Sequence, residues 1–153
     1  MKNEWMTSFS REASIRGFGK MKNDSVINRK ATEFALRIIK AYQFLTTEKN
    51  EYVMSKQLLR SGTAIGALIR EAEFAESKND FAHKLHIALK EANETDYWLL
   101  LLSESNYIEK TAYDSIQSDC TELIKLLVSI IKTAKSNSCL LYTSPSPRDG
   151  LLS

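Results

Sequence analysis

The chain runs 144 residues from Met1 before it meets a proline, and its two prolines, Pro145 and Pro147, sit together near the end. Proline removes a backbone donor and clashes with the preceding turn, so so long a stretch without it is free to be helical almost throughout. No segment alternates apolar and polar residues over a useful strand length. With 153 residues, 43% of them hydrophobic, the chain can bury one core, whereas two comparable domains would each be too small. The expectation is a single all-α domain.

The apolar spacing divides it into four helices. Ile27, Ala31, Phe34, Ala35, Ile38, Ala41, Tyr42 and Leu45 trace one helical stripe, with Asp24 or Ser25 available as a cap. The polar segment 46–51 breaks it. Met54, Leu58, Ser61, Ile65, Leu68, Ala72 and Ala75 carry a second stripe to about Ser77, where Ser-Lys-Asn-Asp offers a turn and a cap. Phe81, Leu85, Ala88, Ala92, Thr95, Leu99 and Leu102 form the third. After Tyr107 and Ile108 a fourth runs through Tyr113, Ile116, Cys120, Leu123, Leu127, Ile130 and Ile131. Long amphipathic helices joined by short connections pack as antiparallel neighbours, which predicts an up-down four-helix bundle over residues 21–136.

The two ends are expected to lie outside that fold. Residues 1–20 carry neither a helical nor a strand period, and Gly17 and Gly19 interrupt them just before Met21. Arg16-Gly17 can be encoded by a ribosome-binding sequence at the right distance from the Met21 codon, so residues 1–20 read as a translated leader. At the other end, Cys139 to Asp149 matches, codon for codon, one frame of a transposase-type sequencing-library adapter. Residues 137–153 therefore read as unstructured read-through. The longest apolar run, Tyr97 to Leu102, has six residues, too few to span a bilayer, and no signal-peptide core precedes the fold. Cys120 and Cys139 make no disulfide framework or metal spacing, and a cytoplasmic setting is expected.

Trimming alters the charge. The full chain is +2, but residues 21–136 hold 16 basic and 16 acidic side chains. Within them the signs separate: residues 21–70 have 9 basic and 4 acidic, residues 71–136 have 7 and 12. Two readings stand, pairing of the halves inside one fold or a functional basic surface. For the second, Arg29, Lys30, Arg37 and Lys40 on the first helix and Lys56, Arg60 and Arg70 on the second are the candidate phosphate contacts. Lys30, Arg37 and Lys40 share one face by spacing, as do Lys56 and Arg60. No aromatic platforms interleave with them, so sequence readout of bases is not expected.

Other constellations have structural roles as their first expectation. Gly62 and Gly66 each cost about 1 kcal/mol in a helix, which close approach of a neighbouring helix would offset. No phosphate loop surrounds them, since neither a preceding strand nor a Gly-Lys-Ser/Thr follows the pattern. Glu91 and Glu94, one turn apart, can both bind one cation across a groove, Arg70 or Arg60, as an ion-pair network. Asp80, His83 and His86 have a spacing that could share a metal, but the Glu-x-x-His of di-iron bundles is absent, and surface histidines and no cofactor are expected. No nucleophile has a recognisable partner, so catalysis is not expected. Tyr97, Trp98, Leu100 and Leu101 extend apolar character beyond the core stripe of the third helix, as Ile124, Leu126 and Val128 do on the fourth. Tyr97, Trp98 and Leu101 are the expected oligomer contacts.

The runs FALRIIK (34–40), SKQLLRSGTAIGALIREA (55–72), KLHIALKEANETDYWLLLL (84–102) and ELIKLLVSIIKTAK (122–135) resemble a bacterial four-helix-bundle family. It includes the proteins encoded in 23S ribosomal RNA intervening sequences and the accessory variability determinants of diversity-generating retroelements. The resemblance implies a bundle assembling as a ring, typically a pentamer, with a basic surface. In retroelement members that ring binds the reverse transcriptase and nucleic acid. By motif position it points to Lys56, Arg60 and Arg70 for polyanion contact, although this core lacks the strong positive charge of those members. Two functions follow for comparison: a nucleic-acid-associated accessory protein, or a structural oligomer that binds a protein partner through apolar outer faces.

Overall fold

The computed structural model describes the backbone of residues 25–143 and the side chains of residues 25–136. The expected leader and most of the expected tail lie outside the described residues. Four helices follow one another: α1 (Val26–Thr47), α2 (Met54–Glu73), α3 (Lys78–Glu104) and α4 (Lys110–Thr143). Among the described residues there is no strand.

Cross-helix contacts fix the directions. Gly62 lies against Ile38, Gly66 against Ala31, and Asn28 donates to Glu73, so α2 descends as α1 rises. The pairs Arg60–Glu94 and Lys84–Glu71 give α2 and α3 the same opposed sense. Cys120 to Ala92 and Gln117 to Asp96 do so for α3 and α4. Lys30–Glu122 and Arg37–Asp119 close α4 back on α1, the loosest of the four seams. This is the up-down bundle that the helical spacing predicts.

The core follows the stripes. Ile27, Ala31, Phe34, Ile38, Ala41 and Leu45 of α1 are buried, while Ala35 and Tyr42, at the edge of the same stripe, are half-buried. On α2 the buried set is Ser55, Leu58, Ser61, Gly62, Ile65, Ile69 and Ala72. Every residue of the third stripe except Phe81 is buried, and α4 contributes Ala112, Ile116, Cys120, Leu123, Leu127 and Ile131. The Cys120 thiol donates to the Ala92 carbonyl at 3.3 Å. Burial, with Asp96 and Asp119 nearby, pushes that thiol up to about 12.

Side chains in the connections hold the helix ends. Ser25 is the N-cap of α1, though its hydroxyl makes no capping bond. After α1 the chain turns at Asn50 (φ 52°) and after α3 at Asn106 (φ 64°), left-handed positions that asparagine tolerates better than most residues. The buried Glu51 carboxylate then accepts from the backbone N–H groups of Val53, Met54 and Ser55 at 3.0, 2.8 and 2.6 Å. Burial alone would raise its pKa, but these donors outweigh burial and hold the group below the usual range. At α3, Ser77 Oγ accepts from the Asp80 N–H at 3.0 Å.

Two boundaries differ from expectation. α2 stops at Glu73, four residues before Ser77, where the N–H groups of Phe74 and Ala75 bond three residues back and tighten the last turn. α4 runs on to Thr143, so residues 137–143 are helical rather than unstructured. Nothing in Ser-Asn-Ser-Cys-Leu-Leu-Tyr forbids a helix, and the first residue that does is Pro145.

Candidate interaction surfaces

The expected basic face is largely turned inward. Lys30 and Arg37 share a side of α1, as their spacing requires, but that side lies along α4, where both cations are partly covered. Lys30 Nζ lies 2.7 Å from Glu122, and Arg37 lies 2.5 Å from Asp119 while donating to the Ser115 hydroxyl at 2.9 Å. Lys40, on the same helix, is half-buried. Two cations of the basic half thus pair with carboxylates of the acidic half, as the first of the two charge readings expects, while Arg29, Lys56 and Arg70 remain exposed, as the second requires.

On α2, Arg60 spans the groove to α3. Its guanidinium sits 3.3 Å from Glu91 and 2.6 Å from Glu94, and the Trp98 indole donates to the same Glu94 oxygen at 3.2 Å. The Arg60 and Trp98 hydrogen bonds lower the Glu94 pKa. The cation of this network is Arg60, and the placing of Arg70 in it is corrected. In the α2–α3 register Arg70 stands level with residue 85, about six residues or roughly 9 Å below Glu91. Arg70 and Lys56 are exposed and, with Arg29, make no ion pair among the described residues.

The two glycines differ in what they allow. A Cβ on Gly62 would fall 2.8 Å from two carbons of Ile38, whereas one on Gly66 would sit at an ordinary 3.6 Å from Ala31 Cβ. Gly62 is therefore where α1 and α2 approach closely. Beside it Thr95 Oγ1, fully buried, lies 2.9 Å from Ser61 Oγ and donates to the Glu91 carbonyl at 2.7 Å. A hydroxyl has one proton, so Thr95 accepts from Ser61 and the pair ties α2 to α3.

On α3, Tyr97 and Leu100 are 54% and 40% exposed, on an outward stripe with Asn93 and Glu104. Trp98 and Leu101 are half-buried; Trp98 packs against the core, its ring 5.8 Å from that of Tyr97. On α4, Ile124 and Leu126 likewise pack against the core. Of the expected contacts Tyr97 is exposed while Trp98 and Leu101 are half-buried, and the other exposed apolar residue of α3 is Leu100, which is not among them.

Sequence reasoning missed several partners. Asp119 and Glu122 lie more than eighty residues from Arg37 and Lys30, and no local spacing reveals such pairs. Glu51 was read only as part of a polar break; its place four residues before Ser55, at the edge of the second stripe, was the available signal. His83 is exposed and His86 half-buried, and no group of three His, Cys, Asp or Glu among the described residues could hold a metal. No described helix is long and apolar enough to cross a membrane.

Comparison with known proteins places this bundle. A crystal structure of a protein of unknown function from the S23 ribosomal protein family of Bacteroides thetaiotaomicron VPI-5482 superposes with a TM-score of 0.70 at 61% identity. The match covers 70% of this chain and 99% of that one. No curated protein matches. The model of the 23S rRNA-intervening sequence proteins matches residues 23–129, from just before α1 to near the end of the buried part of α4. The chain belongs to the 23S rRNA-intervening sequence protein family.

Proposed function

We propose that the protein is a non-enzymatic structural subunit that self-associates through the outer face of α3 and works as an assembled oligomer. The observation that carries this reading is the exposure of Tyr97 and Leu100 on an otherwise polar stripe. In an isolated four-helix bundle each helix needs only one buried side, so an apolar second side fits a partner, and a second copy is the simplest. The Cys120 thiol, buried and held protonated, supports a role without a thiol nucleophile. Light scattering of the full chain is expected to give a mass above the monomer, a ring of five on the family resemblance. Tyr97→Glu together with Leu100→Glu is expected to lower it. A monomer at micromolar concentration rejects the reading.

A polyanion-binding reading keeps support from Lys56 and Arg70, exposed on α2, and Arg29 on α1, because Lys30, Arg37 and Arg60 already have carboxylate partners. The family's name ties its genes to ribosomal RNA, so a structured RNA is the first ligand to try, and a reverse transcriptase is the partner to try where the gene neighbours one. Binding should weaken steeply between about 50 and 200 mM salt, and Lys56→Ala with Arg70→Ala should lessen the log–log slope by about 0.9 per lost phosphate contact. Anisotropy no different from that of a neutral control protein at the lower salt rejects it.

A further inference from the structure

Toward the end of the bundle where α1 stops and α2 begins, large apolar residues are exposed in two pairs. Tyr97 and Leu100 of α3 are one; Tyr52 and Val53, 59% and 75% exposed just before α2, are the other. The pairs share a height. In the register set by Arg60–Glu94 and Lys84–Glu71, Val53 stands level with about residue 102 of α3 and Lys56 with about residue 99. They do not share a face. Trp98, which bonds the same Glu94 as Arg60 of α2, marks the side of α3 turned to α2; Tyr97 and Leu100, about 100° and 160° round the helix from it, are turned away. Each pair is followed one turn later by an exposed charge, Lys56 after Val53 and Glu104 after Leu100. The two charges are opposite in sign, and neither makes an ion pair among the described residues.

We infer that these two faces bind each other between copies of the chain: Tyr97 and Leu100 of one copy pack on Tyr52 and Val53 of the next, with Glu104 of the first beside Lys56 of the second. The inference rests on the reading of α3 as a self-association face and names what that face meets. An α3-to-α3 contact uses each face on its equal, so it stops at two copies and leaves Tyr52 and Val53 in water. A contact of two unlike faces leaves every pair of copies with one free face of each kind, and it ends only on closing into a ring. Faces of equal height set neighbours side by side, which suits closure better than a stepped filament. Each face also presents a tyrosine, a residue type enriched where protein surfaces meet.

Light scattering of the full chain over a range of concentrations tests it with two variants. Tyr97→Glu with Leu100→Glu spoils one face, and Tyr52→Ser with Val53→Asp spoils the other. Val53 is the N-cap of α2, where aspartate is favoured, and an unchanged helical circular dichroism signal shows that each variant folds. Each alone is expected to fall to the mass of one copy. An equimolar mixture holds one intact pair of faces for every two chains, so it is expected to reach two copies and no more, which no α3-to-α3 contact produces. Glu104→Lys alone sets like charges at the contact and is expected to lower the mass as well. If the α3 variant falls to one copy while Tyr52→Ser with Val53→Asp keeps the wild-type mass, the contact between unlike faces is overturned and the α3 reading stands. If the α3 variant keeps the wild-type mass, both are overturned. A mixture that stays at one copy overturns the proposal alone.

Discussion

Gly62 and Gly66 are four residues apart on one helix, yet substitution by alanine should move stability in opposite directions. At Gly66 the added methyl meets ordinary contact, so the gain in helix propensity stands alone and Gly66→Ala should stabilise by about 0.5–1 kcal/mol. At Gly62 the methyl collides with a β-branched, fully buried Ile38 that has no free end to swing aside. Overpacking of about 1–3 kcal/mol exceeds the propensity gain, and Gly62→Ala should destabilise. Urea midpoints of the two variants decide the matter. Glu51 gives a second test. Its carboxyl is lowered by the donors at the start of α2, so its contribution is complete above the ordinary glutamate range and is lost as pH falls below about 4.5. Glu51→Gln should cost about 1–2 kcal/mol at pH 7 and flatten the decline of stability toward low pH. A wild-type pH slope in the variant would refute that assignment.

Between elements, the seams are tied by different chemistry. The α2–α3 seam has the buried Ser61–Thr95 pair, and removing one member takes away the other's cross-helix partner, leaving it only a carbonyl of its own helix, Leu58 for Ser61 and Glu91 for Thr95. Thr95→Val should cost about 0.5–1.5 kcal/mol, and adding Ser61→Ala should cost less than the sum of the single changes, as a double-mutant cycle would register. Arg60, half exposed, should matter little: Arg60→Ala is expected to cost under about 1 kcal/mol despite its two carboxylates. How much of this the sequence revealed depends on distance along the chain. The helices were legible because Ile27, Ala31, Phe34 and Ile38 repeat at the period of the helix itself. The Arg60–Glu91–Glu94 network was half legible: the i, i+3 carboxylates announced a shared cation, but choosing between Arg60 and Arg70 required the α2–α3 register, which no single helix encodes. The reach of Arg37 and Lys30 to α4 was not legible at all, because spacing tells which residues share a face but not what that face meets.

For the molecule as a whole, the closing seam between α1 and α4 joins the two helices most distant in sequence and is the loosest of the four. The other three seams join consecutive helices and form through local contacts, which carry little loop-closure cost. Closure of α1 onto α4, clasped by Arg37 with Asp119 and Ser115, should therefore come late, after the rate-limiting barrier has been crossed. In stopped-flow measurements Arg37→Ala should accelerate unfolding and leave the folding rate nearly unchanged. A folding limb slowed as much as the unfolding limb is accelerated would place the clasp early instead. The pairing that hides the basic residues from a polyanion thus also acts as a latch, setting how long the finished bundle stays shut more than how quickly it forms.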